Sequence, residues 1–320
     1  MPFTDITGHE QSIALLQASL SNKRLAHAYL FHGDAHIGKR MTAVGLAQVL
    51  NCDRPVLTET PDSCGQCRSC LQVAARTHPD YFVIEPDAEA ATPQIKIEQI
   101  RELEQQFIYR PLVGEQKICL IDDADRMTIG AANALLKTLE EPPGHSLFIL
   151  VTSRIHALPI TIRSRCQALR FTSPARTQVE AALILKRELP PDDARFLALL
   201  TDSRIGEALT TNVAEVRARQ QECLTLVKPE SLTSSTTILS ASENLAKSDR
   251  GAETLSWLTR WIRDLVIVLV AGDQEQILHL DQLPQLQRFA DRANIDLLLT
   301  LLNDIEKHAQ QATRHLNVQM

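Results

Sequence analysis

The sequence predicts an α/β domain with a parallel, doubly wound sheet, followed by purely helical segments, and three observations lead to it. Short apolar runs alternate with amphipathic stretches up to residue 171, the runs are mostly continuous rather than alternating, and beyond that point the strands give way to helical patterns. A strand covered on both faces reads as an unbroken apolar run, and strands that alternate with helices imply a parallel sheet.

The expected strands are 28–32 (AYLFH), 81–85 (YFVIE), 117–122 (KICLID), 146–152 (SLFILVT) and 168–171. Between them, Ile97, Ile100, Leu103 and Phe107 share one helical stripe, as do Ala131, Leu135 and Leu139. After Phe171 the run TSPARTQ reads as a linker with a helix start at Ser173 or Thr177. Helices are then expected at 179–189, 193–200 and 205–211, and from about 213 the rest reads as helical again, including 254–271 and 295–314, with 231–235 a loop between helices. These divisions predict three domains, at 1–171, 172–212 and 213–320. The helix at 255–270 carries Trp257 and Trp261 and is expected to be buried, in its own domain or against a partner.

At 320 residues the chain is too long for a single comfortable core. Aromatic residues are only 4%, so the core must rest on Leu, Ile, Val and Ala. A net charge of −6 argues against a protein that coats nucleic acid with a broad basic surface, although a local basic strip remains compatible with it. No basic-then-apolar pattern opens the sequence and its longest apolar run, 265–271, is far short of a membrane span. A cytoplasmic protein with no membrane partner is expected.

Residues 33–40, Gly-Asp-Ala-His-Ile-Gly-Lys-Arg, follow a predicted strand and open the helix 41–50. That is the context of a phosphate loop, in which glycines let backbone N–H groups close on phosphates at a helix N-terminus. Gly33, Gly38 and Lys39 keep the pattern. Position 40 should supply a hydroxyl to Mg²⁺ and is Arg instead. A second element, Ile118 to Asp123, is an apolar strand ending in two carboxylates, where Asp122 suits a metal. Asp123 stands where a Glu normally orients the attacking water and is one methylene shorter. Positioning on a scale of about 1 Å governs such chemistry. Nucleotide binding, as ATP or ADP, stays open through Lys39, Mg²⁺ is doubtful, and no ATP hydrolysis by the chain alone is expected. A chance glycine turn and a solvated strand end are the plainer accounts of each element by itself.

Cys64, Cys67 and Cys70 form CxxCxxC, and Cys52 lies twelve residues before Cys64. Four thiolates make a closed, structural zinc site; an iron–sulfur cluster or unliganded buried thiols are the alternatives. Cys119, Cys166 and Cys223 have no such spacing and are expected as small core residues.

Several stretches together resemble the clamp-loader branch of AAA+ proteins. They are the Cys₄ insertion, residues 121–127 (IDDADRM), residues 131–143 (AANALLKTLEEPP) and the SRC motif within Ile162-Arg163-Ser164-Arg165-Cys166. Gly8-His9-Glu10 fits the family's opening segment, and Thr152-Ser153 its sensor-1 position. The resemblance implies an AAA+ P-loop domain, a small helical lid and an all-α collar. The motor subunits of that family carry Thr or Ser where Arg40 stands and Glu where Asp123 stands. They also place an arginine against the γ-phosphate, and the matching position in SRIGEAL is Gly206. The resemblance therefore implies a non-motor (stator) subunit whose Arg165 reaches a neighbour's ATP in trans. On the residues alone, Arg165 is equally a surface arginine or a salt-bridge partner.

The implied partners are motor subunits of the gamma/tau type and a delta subunit in a heteropentamer. Through that complex they extend to a sliding clamp and primer-template DNA. Arg101 and Lys137, both helix-borne, are candidates to face phosphates, though a solvated helix face accounts for either. Two rival classes are a working motor-type ATPase and a nucleotide-free, zinc-bearing interaction module.

Overall fold

Tyr29 and Phe31 belong to one core cluster and Ala28 and Leu30 to another, because successive side chains of a strand point to opposite faces. This strand, β1 (Ala28–His32), lies in a five-stranded sheet of the computed structural model, which describes residues 2–56, 60–87, 92–225, 251–270 and 272–318. The others are β2 (Tyr81–Ile84), β3 (Lys117–Ile121), β4 (Ser146–Thr152) and β5 (Gln167–Arg170). Every pairing is parallel, in the order β2-β3-β4-β1-β5. All five expected strands therefore occur, each within a residue of its expected ends.

Helices cover both faces. α1 (Glu10–Ser21), α2 (Lys39–Leu50) and α3 (Arg68–Ala74) contribute Leu16, Leu46 and Val73 to the cluster around Phe31, Leu120 and Ile149. α4 (Ile97–Phe107) and α5 (Ile129–Glu140) contribute Ile100, Leu103, Leu135 and Leu139 to the cluster around Leu30, Ile121 and Phe148. A four-residue helix, α6 (Ile160–Arg163), follows β4 and seats Ile162 in the second cluster. The continuous apolar runs of β3 and β4 follow from this double cover.

After β5 come α7 (Arg176–Arg187), α8 (Pro191–Leu200) and α9 (Ile205–Thr210). α7 starts at Arg176, between the two hydroxyl residues expected to cap it. The Gln178 side chain accepts from the Ala175 amide at 3.0 Å, so the first turn is capped from within. These helices share one compact unit, residues 1–210, with the sheet; residues 211–320 form a second.

The second unit holds α10 (Val213–Leu224), α11 (Gly251–Leu269), α12 (Leu283–Ala290) and α13 (Ile295–Val318). Trp257 and Trp261 are buried within it, 6% and 3% exposed, which meets the expectation for that helix. Asp264 accepts from the backbone N–H of His279 at 2.8 Å and from its ring Nδ1 at 2.7 Å, and both tryptophans lie edge-on to the imidazole. The loop expected at 231–235 lies outside the described residues. Among the described residues no helix is long and apolar enough to cross a membrane.

Candidate nucleotide site and thiol cluster

The carboxyl ends of β1, β3 and β4 converge on one edge of the sheet, the place where open α/β sheets bind ligands. The loop after β1 leads into Lys39 at the start of α2, the end of β3 carries Asp122, and Thr152 ends β4. Gly33 is required sterically: a Cβ there would lie 2.2 Å from the Phe171 carbonyl oxygen. The sequence-predicted groups therefore meet in space, but each is engaged by the protein itself.

Lys39 is only 5% exposed, and its Nζ donates to the carbonyls of Gly33 (2.8 Å) and Asp34 within its own loop. Burial lowers its pKa, opposed by Asp122 and other nearby carboxylates. The Arg40 guanidinium donates to Asp122 at 2.8 Å and to Glu85 at 2.9 Å. Glu85 also accepts from Arg76 at 2.6 Å. A fixed cation thus rests on the carboxylate that suits a metal. Burial raises the Asp122 pKa even with Arg40 beside it. Asp123 sits in the left-handed region (φ 46°), half exposed, 3.6 Å from Arg126. Thr152 donates its hydroxyl to Asp125 at 2.6 Å, and Arg154 pairs with the same carboxylate at 2.7 Å.

Two further contacts close the loop. The His9 ring donates Nε2–H to the Ile37 carbonyl at 2.6 Å, and burial lowers its pKa, favouring the neutral ring. At the start of α9, the Gly206 N–H donates to the His36 carbonyl at 2.7 Å, and a Cβ on Gly206 would lie 2.8 Å from that same oxygen. The position expected to carry a phosphate-sensing arginine is therefore pressed against the loop backbone. Gly206→Ala is expected to destabilise the chain by about 1–3 kcal/mol through overpacking. Urea unfolding followed by circular dichroism checks it; an unchanged midpoint would show that the contact relaxes freely.

Arg40→Met strands a mostly buried carboxylate. The cost is expected at about 1–3 kcal/mol near pH 7, below the fully buried range because the Arg40 side chain is 35% exposed. The sign with pH follows from Asp122. An acid whose folded pKa is raised is penalised while ionised, so the deficit should shrink as pH falls and Asp122 protonates. Unfolding midpoints at several pH values decide this; a deficit that grows on acidification contradicts it.

Glu85, Thr161 and Glu140 were not among the sequence candidates, and His9 was noted only as part of the opening segment. Their roles come from contacts across 9 to 45 positions or, for Thr161, from a backbone carbonyl, which no local spacing encodes. Arg165 lies just after α6, its side chain about one-third exposed, and donates to the Thr161 carbonyl at 2.9 Å and to Glu140 at 2.5 Å. The plain salt-bridge role is therefore present, and it leaves the guanidinium accessible. Arg101 and Lys137 are exposed.

The four expected thiols converge between α2 and α3, their sulfurs all within 4.8 Å of one another. Cys52 Sγ lies 3.6 Å from Cys64 Sγ and 3.8 Å from Cys67 Sγ. A tetrahedral zinc with bonds of about 2.3 Å places its sulfurs about 3.8 Å apart, whereas a disulfide requires about 2.05 Å. Backbone N–H groups of Cys64, Cys67 and Cys70 point at sulfurs of Cys52, Cys64 and Cys67 at 3.3–3.4 Å. The Gln66 N–H is foremost among the donors that bring the Cys64 pKa down to about 6, against the effect of burial. The donor set fits a thiolate-bound metal. Cys119 is a core residue as expected, but Cys166 and Cys223 are only half-buried. Burial still pushes the Cys166 thiol up to about 12.

Fold and site together define a P-loop protein of the AAA+ type whose candidate nucleotide-site groups are engaged by the protein itself. A family model described as DNA polymerase III, delta subunit, matches residues 8–175, and one described as DNA polymerase III, delta subunit, C terminal, matches residues 214–320. The DNA polymerase III subunit delta' of Pseudomonas aeruginosa is 31% identical over 302 residues, 92% of this chain and 88% of that protein. The tau subunit of Escherichia coli is 38% identical over 206 residues, 64% of this chain but only 31% of tau. A gamma subunit-related protein of Thermotoga maritima aligns over 93% of this chain and 98% of its own, at 19% identity and a TM-score of 0.41. The chain belongs to the delta-prime family of bacterial DNA polymerase III clamp-loader subunits.

Proposed function

We propose that the chain is the non-motor stator of a sliding-clamp loader, inactive as an ATPase alone, which supplies Arg165 in trans to a neighbouring motor subunit. The observation that carries this reading is the Arg40–Asp122 pair. Magnesium would have to displace a tethered guanidinium from Asp122 before it bound there, while Arg165 stays accessible on the same domain. Lys39 turned onto loop carbonyls and Gly206 in place of an arginine support the same conclusion.

The proposal extends to three domains, at 1–171, 172–212 and 213–320, the last serving as an oligomerisation collar. Its partners are gamma/tau-type motor subunits and a delta subunit in a heteropentamer, with the sliding clamp and primer-template DNA reached through that complex in the cytoplasm. Cys52, Cys64, Cys67 and Cys70 would hold a structural Zn²⁺, which ties α2 to α3 and takes no part in chemistry.

The test is co-purification of the chain with gamma- and delta-type subunits of its own organism, then ATPase assay with and without it, beside equilibrium binding of labelled ATP to the chain alone. Assembly with raised turnover by the complex, and no turnover by the chain, is expected. Magnesium-dependent hydrolysis by the purified chain that is lost on Lys39→Ala would establish a motor subunit instead.

A further inference from the structure

We infer that Glu140 is a positioning residue for Arg165, holding its guanidinium in the orientation in which it is presented to a neighbouring subunit; this rests on the trans role proposed above. The two residues are 25 positions apart and come from different elements. Glu140 is the last residue of α5, and Leu139 beside it is 1% exposed. Arg165 follows α6, whose Ile162 is fully buried in the same cluster as Leu139. Two packed helix ends therefore set the distance between carboxylate and guanidinium.

The backbone at Arg165 is also fixed. Its N–H donates to the Ile162 carbonyl at 3.1 Å, and the Ser164 N–H to the Ile160 carbonyl at 2.9 Å. The side chain is then held from two directions, by Glu140 Oε1 on Nη2 and by the Thr161 carbonyl on Nη1. A guanidinium has five N–H donors. With one on each partner, three remain, enough for a bidentate grip on a phosphate. A long, flexible arginine without these restraints would spread over many rotamers, few of them directed at a neighbour. The exposure of the pair, 34% for Arg165 and 51% for Glu140, suits a group that orients a side chain at an interface rather than one that stabilises the fold.

The test uses the reconstituted complex with Glu140→Ala, Glu140→Gln, Arg165→Ala and the double variant Glu140→Ala/Arg165→Ala. Glu140→Ala is expected to lower kcat at the adjoining site by up to about 100-fold, the penalty of a misplaced reacting group, with KM for ATP little changed. Glu140→Gln, which keeps an acceptor, should recover part of that loss. The double variant should match Arg165→Ala alone, and the unfolding midpoint of each isolated variant should equal that of the parent. If Arg165→Ala lowers turnover but both Glu140 variants match the parent, or if the losses add in the double variant, the positioning role is overturned and the finger stands. Raised turnover in Glu140→Ala would mean that the carboxylate restrains the finger, which also overturns it. If Arg165→Ala itself changes nothing, the trans reading fails, and this inference with it.

Discussion

Arg165→Ala should leave the isolated chain folded and without ATPase activity, as before, yet slow hydrolysis at one site of the assembled loader by about 10³-fold or more. That is the scale at which a trans arginine stabilises transition-state charge on a transferring phosphoryl group. The isolated chain loses a half-exposed ion pair with Glu140 and an exposed hydrogen bond to the Thr161 carbonyl, contacts with little effect on stability. Single-turnover hydrolysis in the complex is the measurement of choice, because steady-state rates average over motor sites that do not touch this chain. Arg165→Lys should restore little, since an ammonium keeps the charge but not the planar fork. An unaltered single-turnover trace would remove the finger from the account and leave Arg165 as a local salt bridge.

Metal removal should have the largest effect on the fold. An ion bound by the four thiols would cross-link positions from 52 to 70, and a cross-link closing a loop of about 15 residues is worth roughly 3 kcal/mol. Apart from it, α3 is held by the buried Val73 and by polar contacts such as the Gln48 side chain on the Cys70 carbonyl at 2.7 Å and Ser69 on Asp53 at 2.8 Å. Cys67→Ser, or prolonged chelation, is therefore expected to lower the unfolding midpoint clearly and to open Arg54 and Arg68 to trypsin. Elemental analysis should find one zinc per chain, with no visible absorption of the kind an iron–sulfur cluster gives. A metal-free preparation of equal stability and protease resistance would return the four cysteines to the status of packed thiols.

The sheet was legible because its signal is local. Runs such as 117–122 and 146–152 report double-sided burial in a handful of letters, and IGK or CGQC names its own geometry. α1, α3 and α6 were not anticipated, being short or weakly periodic; α3 begins inside the thiol cluster and α6 is four residues long. The site divides in the same way. Arg40 in place of a hydroxyl residue marks a damaged metal position, but nothing in the sequence says that Glu85, 45 residues away, would complete the guanidinium's shell. Nor does it reveal that Gly206 donates a backbone bond to His36: the sequence records the loss of a side chain, whereas the compensating contact is made by main-chain atoms. Glu140 was hidden for a different reason. Its letter lies inside a recognisable run, while its task depends on two helix ends packed side by side.

The guanidinium on Asp122 has one more consequence. A diffusible cation occupies a site according to its concentration, and whatever it stabilises rises and falls with supply. A cation carried on the chain has a high effective concentration set by the length of its tether, and it is present in every copy from the moment of folding. The corner formed by β1, β3 and α2 is therefore expected to keep one shape whether a cell is rich or poor in magnesium and nucleotide. In an assembly whose other members change shape with their fuel, such a subunit would serve as a fixed frame of reference.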